Sequence, residues 1–158
     1  MNRLFPLLIK NKNNLNNHNH GASTWSLEYF SFEPAQEKLR EALCTLGNGY
    51  LGSRGAITES PASRVHYPGT YLAGIYNKLD THIAGKTIAN EDLVNCPNWL
   101  PLTFKTGEKS HWIKPNVDNI VSYYQKLDFK EAVLIRNYQV KENSGRITTV
   151  KTKRIIHM

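Results

Sequence analysis

The stretch Thr45-Leu46-Gly47-Asn48-Gly49-Tyr50-Leu51-Gly52-Ser53-Arg54-Gly55 limits this chain more than any other part of it. Four glycines in nine positions, with Asn48 among them, call for a backbone that repeatedly takes positive φ or passes hard against a neighbouring strand. Such a run predicts a corner between extended segments, not a helix. It also spells Gly47-x-Gly49-x-x-Gly52, the spacing of a dinucleotide-binding turn, which needs a helix opening at its end and an acidic residue about 20 positions later. Gly55 and Pro61 stop any such helix, and Tyr67 to Leu72 holds no carboxylate. A kinase glycine loop fails as well, because position 54 is Arg54 and no Val-Ala-Ile-Lys follows, and there is no Gly-Lys-Ser/Thr loop.

The chain has 158 residues, 40% of them hydrophobic, enough for one domain that buries about 70% of its unfolded surface. Cys44 and Cys96 lie far apart among apolar neighbours, which suits reduced thiols and a cytoplasmic setting better than a disulfide framework. A net charge of +7 raises the possibility of nucleic acid, but the basic residues are scattered from Arg3 to Arg154. The densest group, Arg146, Lys151, Lys153 and Arg154, falls on one predicted strand and reads as a solvated face that guards a sheet edge.

Residues 1–23 differ from the rest and predict a disordered, asparagine-rich tail. Leu4 to Ile9 is apolar but too short for a secretory core or a membrane span. Lys10 to His20 holds six asparagines and a single apolar residue, too little to offset the entropy of ordering. His18 and His20 lack the third and fourth ligands of a metal site. The predicted domain therefore runs over 24–158.

Within it, Trp25 to Phe32 is rich in aromatics and predicts a strand. Pro34 suits the first position of a short helix over about 34–41. Glu37 and Glu41, four apart, have the spacing of an acid and base for glycoside cleavage, although Lys38 and Arg40 beside them favour two solvated carboxylates. Thr70 to Tyr76 predicts a strand after the Pro68-Gly69 turn, and the two prolines of Asp92 to Leu102 confine that segment to an edge or loop. On a strand the adjacent Glu91 and Asp92 would point to opposite faces and could not act as an opposed pair. Lys105 to Lys109 has turn chemistry between two strands, Leu127 to Val140 reads as one long strand, and Glu142-Asn143-Ser144-Gly145 as a hairpin turn into Arg146 to Ile156. The fold class is all-β, an antiparallel β-sandwich with one short helix.

Three segments taken together, Leu46 to Gly55, Pro68 to Asn77 and Glu91 to Leu102, resemble in order and spacing the amino-terminal domain of glycoside hydrolase family 65. That family contains maltose, trehalose and kojibiose phosphorylases and related α-glucoside hydrolases. The resemblance runs from about Trp25 to the last residue. It implies a partial β-supersandwich, incomplete at its carboxy-terminal end, whose catalytic partner is an (α/α)6 barrel further along the parent chain. There a glutamate protonates the glycosidic oxygen while phosphate, or a water activated by a second carboxylate, attacks with inversion. Phosphate is already anionic and needs no protein base, so it enters as co-substrate with no cofactor.

The expectation is thus a non-catalytic domain, with no catalytic residue, no metal and no membrane contact, from an enzyme acting on α-glucosidic disaccharides. A homodimer is a further expectation, since the edge at Arg146 to Ile156 lies open to self-association. The first alternative is a free-standing carbohydrate-binding β domain using Tyr71, Tyr76 and Trp99, whose rings could lie against the apolar faces of sugars. For Trp99 a core position competes with that role. A basic nucleic-acid-binding β domain is the weaker alternative.

Overall fold

The structure, a computed structural model, describes residues 25–157. The predicted tail, its short apolar run and His18 and His20 lie outside the described residues. The elements in order are β1 (Ser26–Tyr29), α1 (Glu37–Leu43), β2 (Leu46–Gly47), β3 (Leu51–Ser53), β4 (Thr70–Leu72), β5 (Tyr76–Ile83), β6 (Lys86–Leu93), β7 (Ile120–Asp128), β8 (Val133–Lys141) and β9 (Ile147–Arg154). They form three antiparallel sheets, β1-β7-β8-β9, β2-β3-β4 and β5-β6. The all-β reading with one short helix holds.

Strand periodicity explains the core of the large sheet. Alternate residues of β7 and β8 point inward, and the register stacks them in rows: Tyr123 beside Tyr138, Gln125 beside Arg136, Leu127 beside Leu134. The first row joins an apolar cluster with Ile57, Ile113, Val140 and Val150. The third joins Tyr29, Cys44 and Leu46 in another. A polar row therefore runs between two apolar ones.

Several boundaries depart from the sequence reading. Leu127 to Val140 is not one strand: the chain turns at Phe129 to Ala132, where the Asp128 carboxylate accepts hydrogen bonds from the amides of Lys130 (3.0 Å) and Glu131 (3.2 Å) and Ala132 takes φ +50°. Thr70 to Tyr76 divides likewise, because Gly74 at φ +82° reverses the chain between β4 and β5. Pro34 starts a turn, closed by the Gln36 amide on the Glu33 carbonyl (2.8 Å), and the helix begins three residues later. The Gly107 turn is present, with the Ser110 amide donating to the Gly107 carbonyl at 3.0 Å, but among the described residues no strand lies between Leu93 and Ile120. The Glu142–Gly145 hairpin turn stands as read, with Gly145 at φ +84°.

Candidate functional site

The glycine corner is a hairpin made by Asn48. Its side-chain oxygen accepts hydrogen bonds from the amides of Tyr50 (3.0 Å) and Leu51 (2.8 Å), while Gly49 supplies φ +90°. Its side-chain amide donates to the His157 carbonyl (3.0 Å), tying the corner to the chain beyond β9. Gly55 is required for a different reason. A Cβ there would lie 2.6 Å from Cys44 Cβ and 2.8 Å from the Cys44 carbonyl oxygen, so the backbone passes where no side chain fits.

Two arginines of the large sheet hold this corner from below. Arg136 donates to the carbonyls of Gly55 (2.7 Å) and Ala56 (3.5 Å), to Gln125 Oε1 (2.8 and 3.0 Å) and to the Tyr123 hydroxyl (3.2 Å). Arg154 donates to the carbonyls of Arg54 (3.1 Å) and Ala56 (2.7 Å). Burial, with Arg136 nearby, pushes Arg154 down to about 10, which leaves it charged at neutral pH. Burial also works against the charge on Arg136, but the oxygens of Tyr123, Glu37 and Glu59 outweigh it and hold its value up. Arg146, Lys151 and Lys153 are exposed as predicted; Arg154 belongs to the interior because its side chain leaves β9 on the inward face.

The helix is turned the opposite way to expectation. Glu37 and Glu41 are buried, 2% and 1% exposed, whereas Leu39 and Leu43 face solvent. They are not solvated carboxylates. Glu41 accepts hydrogen bonds from the Tyr67 amide (2.7 Å) and lies 2.8 Å from His66 Nδ1, fastening the helix to the loop before β4. Glu37 lies 3.4 Å from Arg40, which also donates to the Ser31 carbonyl (2.5 Å), pairs with Glu33 (2.8 Å) and stacks over the Tyr29 ring. Burial raises the Glu37 carboxyl, against the pull of Arg40, and pushes the Tyr29 phenol up to about 12. Tyr138 is raised further by burial and by the Glu59 carboxylate beside it. Glu37 and Glu41 are therefore engaged by internal partners, Arg40 for the first and His66 with the Tyr67 amide for the second. No group of three or more His, Cys, Asp or Glu that could hold a metal ion occurs among the described residues. No helix among them is long and apolar enough to cross a membrane.

Tyr71, Tyr76 and Trp99 lie on three separate segments, β4, β5 and the stretch after Cys96. Tyr71 is half-buried on β4, opposite Gly52. Tyr76 opens β5 and is exposed. Trp99 is 55% exposed rather than in the core, while the next residue, Leu100, turns inward. Backbone hydrogen bonds from Cys96 to Thr70 (2.8 Å) and from Val94 to Ile75 (3.3 Å) bring the three segments together. Two depressions, of about 220 and 260 Å³, lie elsewhere against the large sheet, lined by residues such as Phe32 and Ile120 or Asn137 and Gln139, and none of the three rings lines either one.

Sequence reasoning missed the buried Arg136. The signal was there in the alternation of Leu134, Arg136, Tyr138 and Val140, which puts the arginine on the same face as three core residues.

Residues 27–158 match the family model described as glycosyl hydrolase family 65, N-terminal domain. An uncharacterized glycosyl hydrolase of Mycobacterium tuberculosis is 48% identical over 85% of this chain and 10% of its own. The trehalose 6-phosphate phosphorylase of Lactococcus lactis is 40% identical over 82% of this chain and 16% of its own, and a kojibiose phosphorylase of Caldanaerobacter subterraneus 33% over 73% and 14%. A solved putative kojibiose phosphorylase from the human microbiome has the same fold, with a TM-score of 0.70 and 20% identity over 84% of this chain and 18% of that one. The chain thus spans less than a fifth of the length of each of these relatives. The matches favour neither a free-standing carbohydrate module nor a nucleic-acid-binding domain.

Proposed function

Because the chain belongs to glycosyl hydrolase family 65 and carries its N-terminal domain, we propose that it is the non-catalytic front of an enzyme acting on α-glucosidic disaccharides by phosphorolysis or hydrolysis. The observation that carries this reading is the match over residues 27–158, in a domain whose helix carboxylates, Glu37 and Glu41, are held by Arg40, His66 and the Tyr67 amide. The chemistry then belongs to an (α/α)6 barrel. Inorganic phosphate is the co-substrate where the bond is broken by phosphorolysis, and no organic cofactor takes part. The working enzyme is a homodimer in a cytoplasmic setting, a placement supported by Cys44 and Cys96 both being free thiols. Tyr71, Tyr76 and Trp99 form the sugar-facing rim of this front part, a reading supported by the backbone bonds that link their segments and by the exposure of two of the rings.

The test is to incubate the 158-residue chain with phosphate and, in turn, maltose, trehalose, kojibiose and trehalose 6-phosphate, and to measure glucose 1-phosphate. No release is expected, and turnover by the isolated chain would overturn the non-catalytic assignment. A chimera in which this chain replaces the N-terminal domain of the Lactococcus lactis enzyme is expected to be soluble and active. A folded chimera without turnover would count against the scaffold role. Disaccharide titrations of that chimera, before and after Trp99→Ala, test the rim: an unchanged KM removes Trp99 from it.

A further inference from the structure

β5 and β6 form an arm of two eight-residue strands, roughly 26 Å long at the usual rise per residue. Thr81 is half-buried and the other fifteen residues of the two strands are exposed. The turn between them, Ala84 at φ +52° and Gly85 at φ +75°, is of the type that closes a two-residue hairpin. One face carries Leu79, Ile83 and Ile88 with Lys86 and Asp92 among them; the other carries Lys78, Asp80, His82 and Glu91, with Tyr76 and Leu93 at its base. A lone two-stranded hairpin is marginal in water, and three or more strands with an apolar face are needed for stability. The arm as it stands falls short of that.

We propose that two copies of this chain join through β6, edge to edge and antiparallel, about a two-fold axis at Ala89. This rests on the homodimer of the reading above and names its surface. The argument starts from the ladder. The closing pair of such a turn, Ile83 and Lys86, is hydrogen-bonded, and bonded pairs then recur at every second position. The Val94 amide on the Ile75 carbonyl (3.3 Å) obeys that alternation at the base of the arm. It follows that Thr87, Ala89, Glu91 and Leu93 turn their backbone N–H and C=O groups outward, unpaired within the arm. Only registers that set these residues opposite one another are open to a second copy.

Centring on Ala89 places the smallest of these side chains against itself, Thr87 opposite Glu91, and Lys86 opposite Asp92 of the second copy. Each opposed charge pair then occurs twice. Shifting the axis by one residue either way faces Asn90 or Ile88 with its own copy and loses the Lys86 to Asp92 match. The result is a four-stranded sheet, β5-β6-β6-β5, with Leu79, Ile83 and Ile88 of both arms on one face. β6 is favoured over β5 because all eight of its residues are exposed.

The experiment is sedimentation velocity over a concentration series, using the full 158-residue chain with far-UV circular dichroism as the check on folding. Lys86→Asp and Asp92→Lys are each expected to weaken self-association roughly tenfold, because two favourable cross-strand pairs become two repulsive ones. The double reversal restores it. Ala89→Glu, which opposes two carboxylates on the axis, leaves the chain monomeric with its circular dichroism unchanged. Asp80→Lys, on the far edge, leaves association as it was. A wild-type chain that stays monomeric at every soluble concentration overturns the proposal. A dimer indifferent to the β6 reversals, or sensitive to Asp80→Lys, overturns the surface while leaving the homodimer standing. Neither result bears on glucose 1-phosphate release by the chimera, which tests the enzymatic reading separately.

Discussion

Beneath the large sheet the charged groups are inside: Arg136, Glu37 and Glu41 are each at most 2% exposed, and the corner 54–56 hangs by its carbonyls from Arg136 and Arg154. On the β5-β6 arm the apolar groups are outside, with Leu79, Ile83 and Ile88 facing solvent. The same inversion appears within α1, whose buried stripe is Glu37, Arg40 and Glu41 while Leu39 and Leu43 are exposed. The contrast separates two kinds of work. The interior uses directional bonds to fix one backbone path, since a buried ion that loses its partner costs far more than a lost contact. The arm leaves its apolar residues uncovered.

That difference can be broken at the interior first. Arg136→Met should lower the unfolding free energy by about 3–5 kcal/mol, because the carbonyls of Gly55 and Ala56, Gln125 Oε1 and the Tyr123 hydroxyl lose their shared donor. Denaturant unfolding measures it; a loss under about 1 kcal/mol would mean that the polar row is replaceable filling. Gly55→Ala comes next, at about 2–3 kcal/mol, since its new methyl meets Cys44 backbone that cannot yield. Glu41→Gln follows at about 1–2 kcal/mol, one charge-assisted contact weakened on each of His66 and Tyr67.

Acidity sharpens the contrast. Burial raises the Glu37 carboxyl, with Arg40 opposing, so the folded state holds that proton more tightly than the unfolded chain does. Its contribution to stability is complete below the unfolded value and is lost as pH rises through the folded one. Glu37→Gln should therefore gain on the wild type as pH rises from about 4 to about 8, read from urea midpoints. A constant difference across that range would remove the effect. The smallest change belongs to the arm: replacing Asn77 to Asp92 by a short glycine turn should move the monomer's unfolding free energy by less than about 0.5 kcal/mol. Arm amides should also exchange faster than those of β8 in dilute solution.

What could be read in advance was whatever depends on backbone chemistry. The glycine corner and the Glu142–Gly145 turn carry residues that only one kind of backbone needs, and both lie where expected. The turn at Phe129 to Ala132 contains neither glycine nor proline; an aspartate side chain one residue before it makes it, and that signal is weak. The arm was hidden for a related reason. Its apolar residues are too sparse to alternate clearly, and Ala84-Gly85 is a faint turn signal. Glu37 and Glu41 were misjudged because charge was equated with exposure, although Glu37, Arg40, Glu41 and Cys44 fall at the spacing of a single helical stripe. Tyr71, Tyr76 and Trp99 were singled out by residue type alone, and the pairing of Thr70 with Cys96, which links two of their segments, carried no signal in the sequence.

The approach of Gly55 to Cys44 gives the domain a gauge of its own. Cys44 is wholly covered, burial raises its thiol, and Gln125 donates to its sulfur (3.1 Å). An alkylating reagent can reach that sulfur only when the structure packed around it, Tyr29, Leu46, Leu127, Leu134 and the chain at 55, opens. Its labelling rate thus clocks those openings, while the partly exposed Cys96 reacts as the reference on the same molecule.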